Sequence, residues 1–170
     1  MAAIASPIPG RKKSRMMTTR HAPMNLAIRR ASEDDLDRIA PLFDAYRQFY
    51  AQPSDLRRAR DWLQARLERD ESVLLVAEHN DAAVGFTQLY PMFSSVRTAR
   101  LWILNDLFVT ADARRQGVAR TLLDAATQFA HDDGAAGLML ETARDNQPAR
   151  ALYVAAGWNE DASQWYSLPL

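Results

Sequence analysis

The sequence predicts an α/β fold built on a mixed, mostly antiparallel sheet of six to seven strands flanked by helices. Three observations carry that prediction. The apolar pattern changes period along the chain, from helical spacing over residues 32–70 to β-rich runs over 72–110. Three of those β-rich runs succeed one another without an intervening helix, which implies an antiparallel meander. From residue 100 onward strands and helices alternate, which implies parallel crossover pairing.

Residues 1–24 contain Pro7, Pro9 and Pro23 and no apolar periodicity, and are expected to be a disordered basic tail ahead of one domain spanning 25–170. "NLAIRRA" (25–31) reads as a first strand. In 32–50, Leu36, Ile39, Leu42, Phe43, Tyr46 and Phe49 recur at helical spacing behind a capping Ser32, with a kink or break expected at Pro41. A second amphipathic helix, 53–70, has Ser54 as its expected cap. Strands at 72–79 and 82–91 are joined by Asn80-Asp81, a hairpin turn pair. "MFSSVRT" reads as a loop and 100–110 as a third strongly apolar strand. A helix over Gln116–Asp132 ends at Gly134, and 136–143 is a buried-type strand. Pro148 near the start and Gly157 past the end bound a short helix in 146–158. The alternating "SQWYSLP" (163–169) reads as a final strand, with one more short strand expected at Trp158.

Composition excludes several function classes. The chain has 170 residues, enough for one domain with a sizeable core, and a formal net charge of zero. Five basic residues and no acid lie in 1–24, leaving 16 Lys and Arg against all 21 Asp and Glu in the body. That acidic body speaks against nucleic acid and favours cationic substrates. The absence of cysteine removes disulfides and thiolate chemistry, and His21, His79 and His131 have no metal-like spacing, so no metal is expected. No apolar run reaches the roughly 20 residues of a membrane span, and the basic N-terminus lacks a signal-peptide core. The expectation is a soluble cytoplasmic protein with no membrane partner.

"ARRQGVAR" (113–120) sits between the third apolar strand and a helix. Amides at a helix N-terminus lack intrahelical partners and face the positive end of the dipole, so they favour an anion. Gly117 lets an anion approach the backbone closely and Ala119 keeps the approach clear. Neither a Walker loop nor a dinucleotide fingerprint is present. Downstream, Asn146 and Tyr153 are two helical turns apart and can face one cleft.

Two blocks, "LNDLFVTADARRQGVARTLLDAA" and "LETARDNQPARALYVAAGW", together resemble the GNAT family of acetyl-CoA-dependent N-acetyltransferases. The first matches the family's strand, R/Q-x-x-G-x-G/A loop and helix. The second matches its strand, N-x-x-A-x-x-x-Y helix and G-[FW] ending. The likeness extends over about residues 26–168.

The resemblance implies that the backbone of Arg114, Arg115, Gln116, Gly117, Val118 and Ala119, with Arg120 nearby, binds the pyrophosphate of acetyl-CoA. It implies that a bulge in the strand ending at Val109 frees Leu107 N–H for the thioester carbonyl, while Phe108 and Val109 hold the pantetheine amides. Asn146 would reach the cofactor arm, and Tyr153 would be the general acid. A phenol with an ordinary pKa near 10 stays protonated at neutral pH and can serve a leaving thiolate. Many members use a glutamate four residues before the position of Val109, where this chain has Asn105. An amide is no base, so a water chain, Asp106 or Glu141 must accept the amine's proton. Asp106 should point to the opposite strand face unless a bulge re-aims it.

Tyr46, Phe49, Tyr50, Tyr90, Phe93 and Trp102 are candidate acceptor lining. The leading reading is acetyl transfer to a primary amine of a small molecule. A protein acetyltransferase and a non-catalytic acyl-CoA-binding module are the alternatives. The resemblance also favours a homodimer.

Overall fold

A computed structural model describes residues 25–170. The tail expected over 1–24 lies outside them. Five strands form one sheet in the order β1-β2-β3-β4-β5. The strands are β1 (Ala27–Arg30), β2 (Val73–His79), β3 (Ala82–Ser94), β4 (Ala99–Val109) and β5 (Leu138–Met139). The first three pairings are antiparallel and β4–β5 is parallel. The mixed, mostly antiparallel sheet is as expected, but five strands replace the expected six to seven. Residues 163–169 and Trp158 form none, and Trp165, Tyr166 and Leu168 are exposed. Alternation gives a segment the pattern of a strand, but a strand also needs a ladder partner, and none pairs with this one among the described residues.

The helices are α1 (Leu36–Phe49), α2 (Leu56–Glu68), α3 (Val118–Asp132) and α4 (Gln147–Ala155). α1 and α2 cover one face, where Leu36, Ile39, Phe43, Tyr46, Ala59 and Leu63 pack against Leu74, Val76, Phe86 and Phe108. α3 and α4 cover the other, where Val118, Leu122, Leu123, Ala126, Ala149 and Tyr153 meet Leu75, Leu89, Leu104, Leu107 and Val109. Each fully buried leucine, such as Leu122, contributes roughly 1.5–3 kcal/mol by leaving water.

Local choices differ from the sequence expectation in three places. Pro41 does not break α1, which runs through it from Leu36 to Phe49. It is exposed, so the carbonyl it cannot serve faces solvent, while Ile39, Ala40, Leu42 and Phe43 hold both flanks to the core. Ser54 does not cap α2. Its hydroxyl donates to Asp44 at 2.7 Å, and Asp55 takes the cap by accepting from Arg58 N–H at 2.9 Å. The expected loop "MFSSVRT" is partly strand, because β3 runs to Ser94 opposite Ala99. Asn80 and Asp81, both at positive φ, make the predicted hairpin turn.

An ion network anchors α1 to the sheet. Arg29 on β1 donates to Asp35 at 2.8 Å and to Glu78 on β2 at 2.8 Å. Asp35 also accepts from the Ser32 amide at 2.9 Å. The Arg29 guanidinium, ahead of every other cause, holds the Asp35 carboxyl down at about 2.

Candidate active site

Two features of β4 build the site. The first is a bulge. Gln88 pairs with Asp106 but Leu89 pairs with Leu104, so Asn105 is the extra residue. Backbone groups change direction across it. Trp102 N–H donates toward β5, to Gly137 O at 3.0 Å, whereas Thr110 N–H donates toward β3, to Val84 O at 2.9 Å. Amides alternate sides along a strand, so Leu107 and Val109 turn away from β3 and Phe108 turns toward it. The amides at 107 and 109 are therefore directed away from the β3 ladder. Phe108 is placed otherwise: its amide faces β3 and its ring packs with Phe86 and Tyr46 on the α1 face.

The second feature is that β4 and β5 part. Their pairing covers only Trp102–Leu138 and Ile103–Met139, so the expected strand over 136–143 shrinks to two residues. A bulge bends its strand and ends pairing. The half of β4 beyond Asn105 thus borders a wedge, with the loop before α3 at its end.

That loop is shaped as the sequence predicts. Gly117 caps α3 at φ +88, and a β-carbon built there meets nothing within 4 Å. Arg115 also has positive φ. Thr121 N–H is bonded to Gly117 O at 3.0 Å, the first regular bond of the helix, so the amides of Arg115 to Arg120 have no backbone partner, whereas the Arg114 amide, expected among the anion donors, is taken by Ala111 O at 3.4 Å. A cavity of about 500 Å³ is lined by Val109, Arg114, Arg115, Gly117, Val118, Ala119, Arg120, Pro148 and Leu152 among others. It joins the strand end, the loop and α4. Asp106, Leu107, Phe108, Gln116, Asn146 and Tyr153 are not in its lining.

The side chains nearby have defined tasks. Arg114 Nε donates to Val109 O at 3.0 Å and holds the loop to the end of β4. Arg120 pairs with Asp124 at 2.8 Å and donates to Ala155 O at 2.8 Å, linking α3 to α4. Gln116 Nε2 donates back to Asp112 O at 2.7 Å. Asn146 caps α4, its Oδ1 accepting from Ala149 N–H at 3.3 Å.

Asp106 lies on the α1 face, on the same side as Phe108, because the bulge resets the alternation. It is 5% exposed. Its carboxylate accepts from Asn105 Nδ2 at 3.2 Å and is hydrogen-bonded by the Tyr46 hydroxyl. Burial pushes its pKa up and outweighs both donors. Tyr46 is linked in turn to Tyr50, and the negative charge of Asp106 is felt by Tyr50 and Tyr90. Glu141 acts electrostatically on Tyr50 but is itself exposed. Tyr153 is buried beside Trp158, and burial, followed by the charge of Tyr50, raises its pKa.

Of the expected acceptor lining, Tyr46, Tyr50 and Tyr90 gather around Asp106. Phe49 packs on Tyr50, and Phe93 lies exposed beneath Arg100. Trp102 does not belong with them. It is buried on the α3 face against Phe129, and its indole N–H donates to Asp133 at 2.9 Å. Sequence reasoning missed Gln88, buried opposite Asp106, and the acid-binding role of Tyr46. The polar Gln88 in the apolar run "VGFTQLY" was the available signal. Among the described residues, no group of three or more His, Cys, Asp or Glu could hold a metal ion, and no helix is long and apolar enough to cross a membrane.

The family model described as "Acetyltransferase (GNAT) family" matches residues 36–158. An "Uncharacterized N-acetyltransferase YhfO" of Bacillus subtilis is 52% identical over 134 residues, covering 79% of this chain and 90% of the relative. A "Probable acetyltransferase" of Haemophilus influenzae is 32% identical over 117 residues, covering 68% and 80%. A crystal structure of a probable acetyltransferase superposes with a TM-score of 0.82 at 42% identity, covering 85% of this chain and 97% of the other.

Proposed function

Because this chain belongs to the GNAT acetyltransferase family, we propose that it is an acetyl-CoA-dependent N-acetyltransferase acting on a primary amine of a small molecule. The observation that carries the reading is the open cradle at Gly117, where a positive φ, unserved helical amides and a cavity of about 500 Å³ coincide. These groups fit a diphosphate: each charge-assisted bond is worth roughly 1.5–3 kcal/mol.

Bound there, acetyl-CoA supplies an activated thioester. The chain's own residues do the rest. The amides of Arg115 to Ala119 bind the diphosphate, while Arg114, by gripping Val109 O, fixes the loop relative to β4. Leu107 N–H, turned from β3 by the bulge, would hold the thioester carbonyl and so favour negative charge on its oxygen. Val109 N–H orients the arm. Tyr153 keeps its proton at neutral pH because burial raises its pKa, and it donates toward the departing sulfur.

Asp106 is the base. Its buried carboxylate, set among Tyr46, Tyr50 and Tyr90, attracts a primary ammonium and takes one proton from it. A base near pH 7 needs a carboxyl pKa above the ordinary 3.9, and burial moves Asp106 in that direction. The test is release of free thiol from acetyl-CoA against a panel of primary amines, amino acids and lysine peptides. Turnover with small amines supports the reading, and turnover confined to peptides overturns the small-molecule part.

A further inference from the structure

Gln88 has a buried acceptor with no partner, and its place opposite Asp106 gives it a use. β3 and β4 pair Gln88 with Asp106. Both side chains lie on the α1 face: Phe86 and Phe108, two residues along each strand, pack there together. Gln88 is 1% exposed. Its Nε2 donates to Ser72 Oγ at 2.7 Å, and Ser72 is buried as well. That bond fixes the amide and leaves Oε1 as a buried acceptor without a hydrogen-bond donor. Such an atom costs free energy unless a donor reaches it.

The groups around Asp106 are unequal. Asn105 Nδ2 and the Tyr46 hydroxyl are donors, and they serve the carboxylate. A carboxylate has no hydrogen to offer Gln88, whereas a carboxylic acid has one. We propose that Gln88 is the positioning residue for the proton that Asp106 takes: its Oε1 accepts the hydrogen of the neutral acid, while Tyr46 and Asn105 hold the charged form. This rests on Asp106 being the base. In the step, an N–H bond of the acceptor ammonium breaks and an O–H bond of Asp106 forms, with no change in oxidation state. The Ser72–Gln88–Asp106–Tyr46 line then gives Gln88 Oε1 its donor in the neutral state, while the charged state leaves that atom unserved.

Other groups face this line. Tyr46 and Tyr50 come from α1, Tyr90 from β3 and Asn105 from β4. Arg66 and Glu71 act on Tyr90, and Glu141 acts on Tyr50. None of them is altered by a change at Gln88 or Ser72, so a shift in those variants reports on the pair.

The experiment is a carbon-13 NMR titration of aspartate carboxyl carbons in the full chain, with Asp106 identified by the signal missing from Asp106→Asn. Gln88→Met removes the acceptor at similar volume and should lower the Asp106 midpoint by about one pH unit, the size of one hydrogen bond. Ser72→Ala frees the amide to turn a donor toward the carboxylate and should lower it too. Tyr46→Phe removes a donor to the charged form and should raise it. Folding of each variant is checked by circular dichroism, and either Gln88→Met or Ser72→Ala suffices. A midpoint unmoved or raised in the folded one overturns the proposal. Calorimetry with acetyl-CoA and turnover of the unaltered chain test the enzymatic reading separately, so its failure would be told apart from failure of the Gln88 role.

Discussion

Leu104 and Leu107 pack in the same apolar cluster, although three positions separate them on one strand. In a regular strand residues three apart face opposite sides. The bulge at Asn105 reconciles them. It also carries Asp106 to the α1 face and turns Leu107 N–H toward the wedge. One extra residue thus separates the two groups to which the proposed mechanism assigns proton removal and oxyanion binding.

The bulge predicts the effect of shortening the strand. Deleting Asn105 removes the extra residue and leaves Leu104, Asp106, Leu107, Phe108 and Val109 in regular alternation, so every side chain keeps its face and only the bend of the strand is lost. Chemical denaturation should show a loss of no more than about 1–2 kcal/mol for both the deletion and Asn105→Ala, while only the deletion, which straightens β4, should lower acetyl-CoA affinity in calorimetry.

Tyr153→Phe removes a hydroxyl whose proton burial retains at neutral pH. kcat should fall by on the order of 10²-fold with little change in acetyl-CoA affinity. Steady-state kinetics together with calorimetry check this, and undiminished turnover would remove Tyr153 from the chemistry.

Gly117→Val places a branched side chain at φ +88, at a strain of roughly 1–3 kcal/mol, and fills the open space of the cradle. Acetyl-CoA affinity should drop at least about tenfold. Calorimetry showing full affinity in a folded variant would place the diphosphate elsewhere.

Asp35 gives a prediction about stability and pH. Its folded-state pKa, about 2, lies below the unfolded value, so its contribution is present above pH 4 and is lost as pH falls through about 2. Arg29 is 40% exposed, which screens the pair. Asp35→Asn should therefore cost on the order of 1–2 kcal/mol at pH 7, with the gap to the unaltered chain closing toward pH 2. Denaturation curves at both ends of that range measure it.

Much of this was legible in the residues. The meander of β2 to β4, the turn at Asn80-Asp81 and all four helices follow from period and turn chemistry. So does the cradle, because Gly117 and the unserved amides are local properties. What escaped was set by tertiary partners. Pro41 stays in α1 because its flanks are anchored. Ser54 yields the α2 cap to Asp55 because Asp44 claims its hydroxyl. The C-terminal alternation found no partner strand among the described residues. Trp102 went to the α3 face because Asp133 and Phe129 wait there. The position of the bulge, and with it the facing of Asp106, depends on the register between β3 and β4, which no single strand encodes.

The most direct measurement is the pH dependence of kcat/KM for acetyl transfer to a primary amine, compared between the unaltered chain and Asp106→Asn. If Asp106 is the base, activity in the unaltered chain falls as pH drops through a midpoint above the ordinary carboxylate value, since burial raises it. Asp106→Asn should lose that acidic limb together with about 10²-fold or more of kcat/KM. The same limb at the same midpoint in Asp106→Asn, with activity retained, would contradict the assignment.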